Sequence, residues 1–389
     1  MAYQKVTKTS YGGRLKNALG GVGMGFILLI VGTVLLFWNE GRTVKTTRML
    51  KEAQGVCVEL GDIDQVNPDM NGKMIHACGL ATTKDILTDG QFGISVNAVK
   101  LIRSTEFYQW VEHASSTTKD KIGGGQETVT TYTYTKEWVG SPVNSSNFED
   151  PEYKGIKNDV LLNLEDQTWQ AKNVSFGAYR FPDALISQMN DRTSLIVDIE
   201  PEVEDEYKGI IHTDGNVIYL GENPNSPNVG DVRVSYEKVL PGEVSILAQV
   251  AGDSFERYTA KNGYTLLTLR DGTVGMDNMF DTEREGNKTL AWILRILGIL
   301  LIVFGFRNIF NIVTALLKVL PFLGNIANLG VGLVSWVLGL AWSLVVIAIG
   351  WLVYRPVLGV ALLVAAAALI WFLGKKSKEK GTDVQAPAE

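Results

Sequence analysis

Residues 329–373 read LGVGLVSWVLGLAWSLVVIAIGWLVYRPVLGVALLVAAAALIWFL, and charge interrupts this apolar run only within Tyr354-Arg355-Pro356. At about 1.5 Å per helical residue, residues 329–353 extend roughly 37 Å and residues 357–373 roughly 25 Å, against a hydrocarbon core of about 30 Å. Pro356 supplies no backbone N–H, and an arginine costs about 2.5–3.5 kcal/mol at a membrane centre, so the break is expected at a lipid–water interface. The run therefore predicts two transmembrane helices joined by a turn at residues 354–356.

Two further apolar runs predict spanning helices nearer the N-terminus. Residues 19–38 carry no charge and follow a basic tail, which predicts an uncleaved first helix. Gly21 and Gly25 have the G-x-x-x-G spacing that permits close helix contact, although glycines are common in membrane helices generally. Residues 289–306 predict the second helix; its Arg295 is expected either to snorkel to the headgroups or to line a polar pathway. Residues 307–328 mix polar and apolar side chains and predict an interfacial amphipathic segment.

The positive charges predict how the chain is oriented in the membrane. Four spanning helices place both termini on one side, and the short segments on that side, residues 1–18, 307–328 and 374–389, hold four, two and four Lys or Arg. The other short connection holds only Arg355. Since cytoplasmic segments are enriched in Lys and Arg, we expect cytoplasmic termini and a lumenal or periplasmic middle region.

The middle region, residues 39–288, has ordinary globular composition and predicts a large β-rich domain. Strand patterns fall into two blocks, which suggests two similar modules without proving them. Residues 94–112 and 127–138 predict a long β-hairpin, and period two places Tyr132, Tyr134 and Trp138 on one face, with Trp110 on the partner strand. Such an aromatic face either packs against the fold or binds a ligand. The fold class is therefore an α+β integral membrane protein, with one helix before this domain and three after it.

Composition and motifs argue against several functions. The net charge of −6 without a basic cluster in the middle region argues against nucleic-acid binding. Serine-hydrolase elbows, His-Glu-x-x-His motifs and phosphate-binding loops do not occur, so we predict no enzyme, cofactor or metal. A catalytic alternative would need His113, Glu106 and Glu112 to converge. Cys57 and Cys78 are expected to be free thiols or, in an oxidising compartment, a disulfide.

Several spaced motifs resemble the LUMA (transmembrane protein 43) family over nearly the whole chain. They are Asn39-Glu40-Gly41-Arg42, Phe92-Gly93 with Ala98-Val99-Lys100-Leu101, residues 106–112 (EFYQWVE), Tyr132-Thr133-Tyr134 with Glu137-Trp138, Asn147-Phe148, Val229-Gly230-Asp231-Val232-Arg233, and residues 350–356 (GWLVYRP). Gly230 and Asp231 are interaction candidates on this ground. The chain departs from the family at residues 153–159, where a His-x-Asn-Pro motif is usual.

The resemblance implies one helix, a large lumenal domain and three helices in a non-enzymatic, self-associating protein of the endoplasmic reticulum and inner nuclear membrane. It also implies lamin and emerin partners in animals; in a bacterium we expect the inner cell membrane instead. Our first hypothesis is a scaffold that forms homo-oligomers and organises other membrane proteins. The alternative is a subunit of an oligomeric ion channel or pore, suggested by Arg295. At the turn, we expect Arg355 either to dock on the large domain through a carboxylate or helix C-terminus, or to stay solvated at the headgroups.

Overall fold

A computed structural model describes residues 3–319, 321–357 and 360 of the chain. Its helices are α1 (Tyr11–Val56), α2 (Asp183–Ile186), α3 (Pro201–Glu206), α4 (Met276–Leu317) and α5 (Pro321–Tyr354). Within this part of the chain, three helices are long and apolar enough to cross a membrane, namely Tyr11–Val56, Met276–Leu317 and Ile326–Tyr354. The predicted fourth helix, residues 357–373, lies almost entirely outside the described residues.

Both long connecting helices extend beyond the predicted spans. α1 does not end at Trp38 but continues to Val56, because Met49 and Leu50 lie four and three residues before Ala53 and all three are buried on one helix face. α4 runs through residues 307–317, so this stretch is not a separate segment. No proline interrupts the sequence before Pro321, and Ile312 and Leu316 continue the apolar pattern. The interfacial position of residues 307–328 stays a prediction.

Nineteen strands are found in the described part of the chain. They are β1 (Tyr3–Thr9), β2 (Val58–Glu59), β3 (Met74–Thr83), β4 (Ile86–Asp89), β5 (Ile94–Asn97), β6 (Lys100–Asp120), β7 (Gln126–Val139), β8 (Gln167–Gln170), β9 (Val174–Phe176), β10 (Tyr179–Arg180), β11 (Arg192–Ser194), β12 (Ile211–Asp214), β13 (Val217–Leu220), β14 (Val232–Val239), β15 (Gly242–Ala251), β16 (Ser254–Glu256), β17 (Tyr258–Thr259), β18 (Thr265–Leu266) and β19 (Thr268–Asp271). The predicted long hairpin is present as β6 and β7.

The strands form two larger sheets and two small hairpins. One sheet has the order β1-β7-β6-β14-β13-β12, with β8 and β11 paired at its side, and the other has the order β19-β15-β16-β10-β9-β3-β2. β6 pairs with β14, and β3 pairs with β15, both antiparallel over eight residues. Each sheet therefore joins an early strand to a late one, so the two sequence blocks are not separate modules.

The chain divides into two compact units. The β-rich unit contains the chain up to residue 7 together with residues 49–118 and 128–283, and the helical unit contains residues 8–48, 119–127 and the chain from residue 284 onward. The β-rich unit has two main apolar cores, one around Ile75, Phe176 and Ile246 and the other around Phe107 and Val234. Alternate residues of the central strands supply both cores, as expected for sheets that bury one face.

Candidate functional site

The helical unit holds a charged cluster in its interior. The carboxylate of Glu40 on α1 is fully buried, and Arg295 on α4 donates to it twice, from Nε to Oε1 at 2.6 Å and from Nη2 to Oε2 at 2.9 Å. The indole Nε1 of Trp351 on α5 donates to Oε2 at 2.9 Å. One carboxylate therefore joins all three long helices, and bidentate pairing with arginine is the strongest form of this contact.

Neighbouring residues fix the geometry of this Glu40 cluster. The Arg295 guanidinium lies over the Trp292 ring, 5.1 Å from its centroid, where a cation is attracted to the π face. Gly350 lies so close that an added Cβ would meet the Glu40 Cβ at 3.0 Å. Arg295 thus points into the helix bundle with its charge neutralised. The snorkelling interpretation of Arg295 is wrong, and the structure gives no support to a pathway lined by it.

Glycines bring α1 and α4 into direct backbone contact. A Cβ added at Gly25 would lie 2.7 Å from the Gly305 carbonyl oxygen, and one at Gly32 would lie 2.9 Å from the Gly298 oxygen. The two glycines on each helix are seven residues apart, which keeps them on one face. Gly21 has only a single distant neighbour at 4.0 Å. Gly25 does permit close helix contact, as its spacing predicts, and the helix that it contacts is α4 of the same chain.

The predicted turn begins where α5 ends. Arg48 donates from Nη2 to the Tyr354 carbonyl oxygen at 3.0 Å, and the Tyr354 ring packs against Gly41. The backbone N–H of Arg355 donates to the Trp351 oxygen at 2.7 Å. Among the described residues, no carboxylate forms an ion pair with Arg355, so the expected pairing with one is not present there. Pro356 is exposed beside it.

In the β-rich unit, the aromatic face of the hairpin is used for packing. The Tyr134 ring stacks on Tyr153 with centroids 4.1 Å apart, and its hydroxyl donates to Glu112 at 2.6 Å. Burial raises the pKa of Tyr134 above its usual value, and the Glu112 carboxylate adds to this. The remaining aromatic candidates also have partners: Tyr132 meets Tyr3, Trp138 meets Tyr108 and Tyr219, and Trp110 meets Tyr153 and Lys136.

Gly230 and Asp231 hold a loop against the start of β14. Gly230 has φ +106°, and an added Cβ would lie 2.6 Å from the Asp159 carbonyl oxygen, so only glycine fits. The Asp231 carboxylate accepts hydrogen bonds from the Tyr219 hydroxyl and, at 2.7 Å, from the Asn228 backbone. Burial and this carboxylate raise the pKa of Tyr219. The polar groups of this loop are thus hydrogen-bonded to one another, and the role that the structure gives to Gly230 and Asp231 is to hold the loop in place.

A second buried charged cluster was not predicted from the sequence. Arg103 on β6 donates to Asp89 at 2.7 Å, and the Tyr236 hydroxyl donates to the same carboxylate oxygen at 2.6 Å. The Arg103 guanidinium lies over Trp169 at 5.4 Å. The available signal was weak: Arg103 directly follows the apolar pair Leu101-Ile102 at the start of a strand, and a charge that such a strand buries needs a partner.

The residues of the catalytic alternative do not converge. Glu106 pairs with Arg233, Glu112 accepts from Tyr134, and His113 lies within 2.7 Å of Glu137. All three are on β6, where period two puts His113 on the face opposite the two glutamates. That hypothesis is therefore wrong for these residues. Cys57 and Cys78 are free thiols.

Comparison with known proteins identifies similar sequences. The family model described as Transmembrane protein 43 matches residues 107–356. Transmembrane protein 43 of Homo sapiens is 32% identical over 376 residues, which cover 94% of this chain and 92% of the human protein. The Mus musculus protein of that name is 32% identical, covering 88% and 86%, and the Drosophila melanogaster homolog is 30% identical, covering 90% and 93%. No solved structure matches.

Proposed function

Because the chain belongs to the transmembrane protein 43 family, we propose that it is a non-enzymatic multi-pass membrane scaffold that self-associates and organises membrane-protein complexes. The Glu40 cluster supports this role, because the buried charges of Glu40 and Arg295 pair with each other while they hold α1, α4 and α5 together. A chain built in this way offers its outer surface, and not an internal polar path, for interaction.

The observation that carries the proposal is the division of α5 into two unlike faces. Small side chains point inward: Ser335 and Ser343 are buried, and an added Cβ at Gly339 would meet Val303 at 2.5 Å. Large apolar side chains point outward and are exposed, namely Leu329, Leu333, Trp336, Val337 and Leu344. The small inner face permits close packing within the chain. The outer face is then available to a second copy or another membrane protein.

Cysteine crosslinking in intact membranes tests self-association. In a chain with Cys57→Ser and Cys78→Ser, Leu333→Cys is expected to give crosslinked dimers, whereas Ser335→Cys on the buried face is the matched control and is expected to stay monomeric. The yield should persist at low expression, because a specific contact does not depend on crowding of copies. Monomer alone in both variants, over a range of expression levels, contradicts the proposal.

The proposed location follows from the charge count and the family. Both termini are cytoplasmic, and the β-rich unit is lumenal or periplasmic; the membrane is that of the endoplasmic reticulum or the inner nuclear membrane in a eukaryote, or the inner cell membrane in a bacterium. The pairing of β1 (Tyr3–Thr9) with β7 in one sheet opposes this sidedness, because it places the N-terminal tail with the β-rich unit. The proposed partners are the lipid bilayer, further copies and other membrane proteins, without nucleic acid.

The tip of the β6–β7 hairpin gives a direct test of this sidedness. Asp120 pairs with Arg14 at 2.8 Å and with Lys318 at 3.1 Å, at the end of the helices assigned to the cytoplasm. Open polar strands do not cross lipid, so this contact and the proposed sidedness make opposite predictions for Ile122→Cys. Maleimide labelling from the lumenal or periplasmic side supports the proposal and means that the contact is absent in the membrane. Labelling from the cytoplasmic side overturns it.

A further inference from the structure

Two cavities lie along the groove between α1 and α5 in the helical unit. The first has a volume of 700 Å³ and lies at the C-terminal end of α5, where Arg48, Arg355 and Val44 contribute to its wall. The second has a volume of 330 Å³ and is almost wholly apolar, lined by residues that include Ile30, Val34 and Trp342. One cavity thus combines two guanidinium groups with apolar walls, and the other offers only hydrocarbon surface.

The two cavities are aligned on one face of α1. Ile30 and Val44, like Val34 and Arg48, are fourteen residues apart. Fourteen residues are about 3.9 turns and roughly 21 Å, so the pairs point in nearly the same direction. Half of a bilayer that is about 40–45 Å thick with its headgroups measures about 20–22 Å. The groove therefore has the length of one lipid molecule in a leaflet.

Apolar side chains separate the two cavities. The Tyr354 ring packs against Gly41 and lies 5.5 Å from the Phe37 ring, and in the same stretch of the two helices Trp38, Ile349 and Val353 are exposed apolar residues. The Trp342 indole donates to Thr33 Oγ1 at 2.9 Å, which fixes the ring at the inner end of the groove. Side chains of this kind match an acyl chain through van der Waals packing, which is the attraction that remains between apolar groups inside the hydrocarbon layer.

The outer end of the groove is positively charged. Arg48 uses one guanidinium nitrogen on the Tyr354 carbonyl, and within the described part of the chain neither Arg48 nor Arg355 is ion-paired with a carboxylate. Guanidinium groups bind phosphate through parallel N–H donors and are weakly hydrated, so two of them at an interface favour an anionic phosphodiester. The lipid headgroup that fits must therefore keep the negative charge of its phosphate, without an attached cationic group that would cancel it.

From this geometry we propose that the groove binds one anionic glycerophospholipid, with its phosphate between Arg48 and Arg355 and an acyl chain ending at Ile30, Val34 and Trp342. Arg355 then has a ligand-binding role that differs from both expectations for the turn. The site is independent of self-association, because every residue that forms it belongs to one chain.

Native mass spectrometry of the full-length protein tests the headgroup contact, with phosphatidylglycerol and phosphatidylcholine added in equal amounts. Each basic residue near a membrane surface contributes about 1 kcal/mol, or about fivefold. We expect the wild-type chain to retain phosphatidylglycerol preferentially, Arg355→Gln to lose about fivefold of that preference, and Arg48→Gln with Arg355→Gln to lose about 25-fold. Arg307→Gln, an exposed arginine on α4, is the matched control and should change nothing. An equal preference in wild type and double variant overturns the proposal.

Two further arms separate a bound lipid from a bound phosphate ion and from a folding defect. Val34→Trp fills the inner cavity and is expected to weaken phosphatidylglycerol retention while both arginines remain. Inorganic phosphate at millimolar concentration should not displace the lipid; displacement, with no effect of Val34→Trp, would mean a phosphate ion site and contradict the proposal. Arg355→Lys keeps the charge and should retain most of the preference, which excludes misfolding as the cause of the Arg355→Gln result. A loss as large in Arg355→Lys as in Arg355→Gln contradicts it.

Discussion

Each of the two units buries a carboxylate that accepts hydrogen bonds from an arginine and from an aromatic side chain. In the β-rich unit, Asp89 accepts from Arg103 and from an aromatic hydroxyl, and in the helical unit, Glu40 accepts from Arg295 and from an aromatic indole. In both, a tryptophan lies over the guanidinium, 5.4 Å away for Arg103 and 5.1 Å for Arg295. Each arginine neutralises a carboxylate that would otherwise be buried alone at large cost.

The difference between the clusters lies in what they connect. Asp89 is on β4, which forms a separate hairpin with β5, whereas Arg103 and Tyr236 are on β6 and β14, which a backbone ladder already joins. The Glu40 cluster connects three helices that are also joined by apolar surfaces, by glycine backbones and by neutral hydrogen bonds such as Asn39 to the Ala291 oxygen and Trp342 to Thr33. Apolar surfaces alone specify helix pairing weakly in lipid, so these polar contacts, with the Glu40 cluster as the one that joins all three helices, supply the specificity in the helical unit. The comparison predicts that cluster mutations change stability in one unit and helix arrangement in the other.

The largest effect is expected for Arg103→Met in the β-rich unit. Removal of Arg103 leaves the Asp89 carboxylate buried with two neutral donors, the Tyr236 hydroxyl and the Gln91 backbone N–H, and no opposite charge, which should cost about 3–5 kcal/mol. Guanidinium unfolding of the full chain in detergent, followed by tryptophan fluorescence, measures this free energy. The exposed pair Arg180–Asp253 supplies the control, since Arg180→Met should have no measurable effect. Equal effects of the two variants would show that the buried cluster has no special role.

A smaller effect is expected where the helices touch through glycine. In Gly305→Leu the new side chain meets the Gly25 carbonyl oxygen and Leu29, each 2.9 Å from the added Cβ, so α1 and α4 must separate. Overpacking of this kind costs about 1–3 kcal/mol, read as a lower thermal midpoint in detergent. Gly23→Leu is the control, because nothing lies within 4 Å of its added Cβ. If the thermal midpoint of Gly305→Leu is no lower than that of Gly23→Leu, α1 and α4 are not in close contact at this position.

The hairpin contact should contribute about 1 kcal/mol. Tyr134→Phe keeps the ring stacked on Tyr153 but removes the hydroxyl that donates to Glu112 and accepts from the Asp150 backbone N–H, and a typical net loss per hydrogen bond is about 0.5–1.5 kcal/mol. Denaturant unfolding measures the difference against Tyr108→Phe, which keeps its ring contact with Trp138. A change of equal size in both variants would assign the effect to the ring environment instead.

At neutral pH the smallest effect on stability is expected from the titration of Cys57, which acts only in alkali. Burial, with a smaller contribution from the Glu59 carboxylate, raises the pKa of Cys57 to about 12 from 9.0. Because the folded-state pKa is raised, the stabilisation is present below pH 9 and is lost as the pH rises towards 12. In a Cys78→Ser chain at pH 8, iodoacetamide should modify Cys57 roughly a thousandfold more slowly than in urea, since only the thiolate reacts. Equal rates would contradict the burial of this thiol.

Hydropathy and periodicity predicted the individual helices and strands of this fold better than they predicted which strands pair with each other. The apolar runs identified the three helices that are long enough to span, because about twenty apolar residues are a local property of the sequence. Alternation likewise identified β6 and β7. The pairing of β6 with β14 and of β3 with β15 joins residues far apart in the chain, so local patterns predicted two blocks where the strands interleave.

The same limit explains what was missed in the helical unit. Arg295 was visible as a charge in an apolar run, but its partner Glu40 lies 255 residues earlier and was assigned to the large domain. A buried arginine requires a carboxylate, and that rule states the partner's chemistry without its position. Gly25 was recognised by spacing, whereas Gly305 on α4 was not, because its role is set by the opposite helix.

A double-mutant cycle tests most directly whether the buried charges of Glu40 and Arg295 stabilise the helical unit by pairing with each other. Stability is measured in detergent for the wild-type chain, Glu40→Gln, Arg295→Gln and the double variant. If the two charges serve only each other, the double variant is more stable than the sum of the single losses predicts, with a coupling of about 2–3 kcal/mol. Strictly additive losses would show that each charge has a separate partner, and would contradict the pairing of Glu40 with Arg295 within one chain.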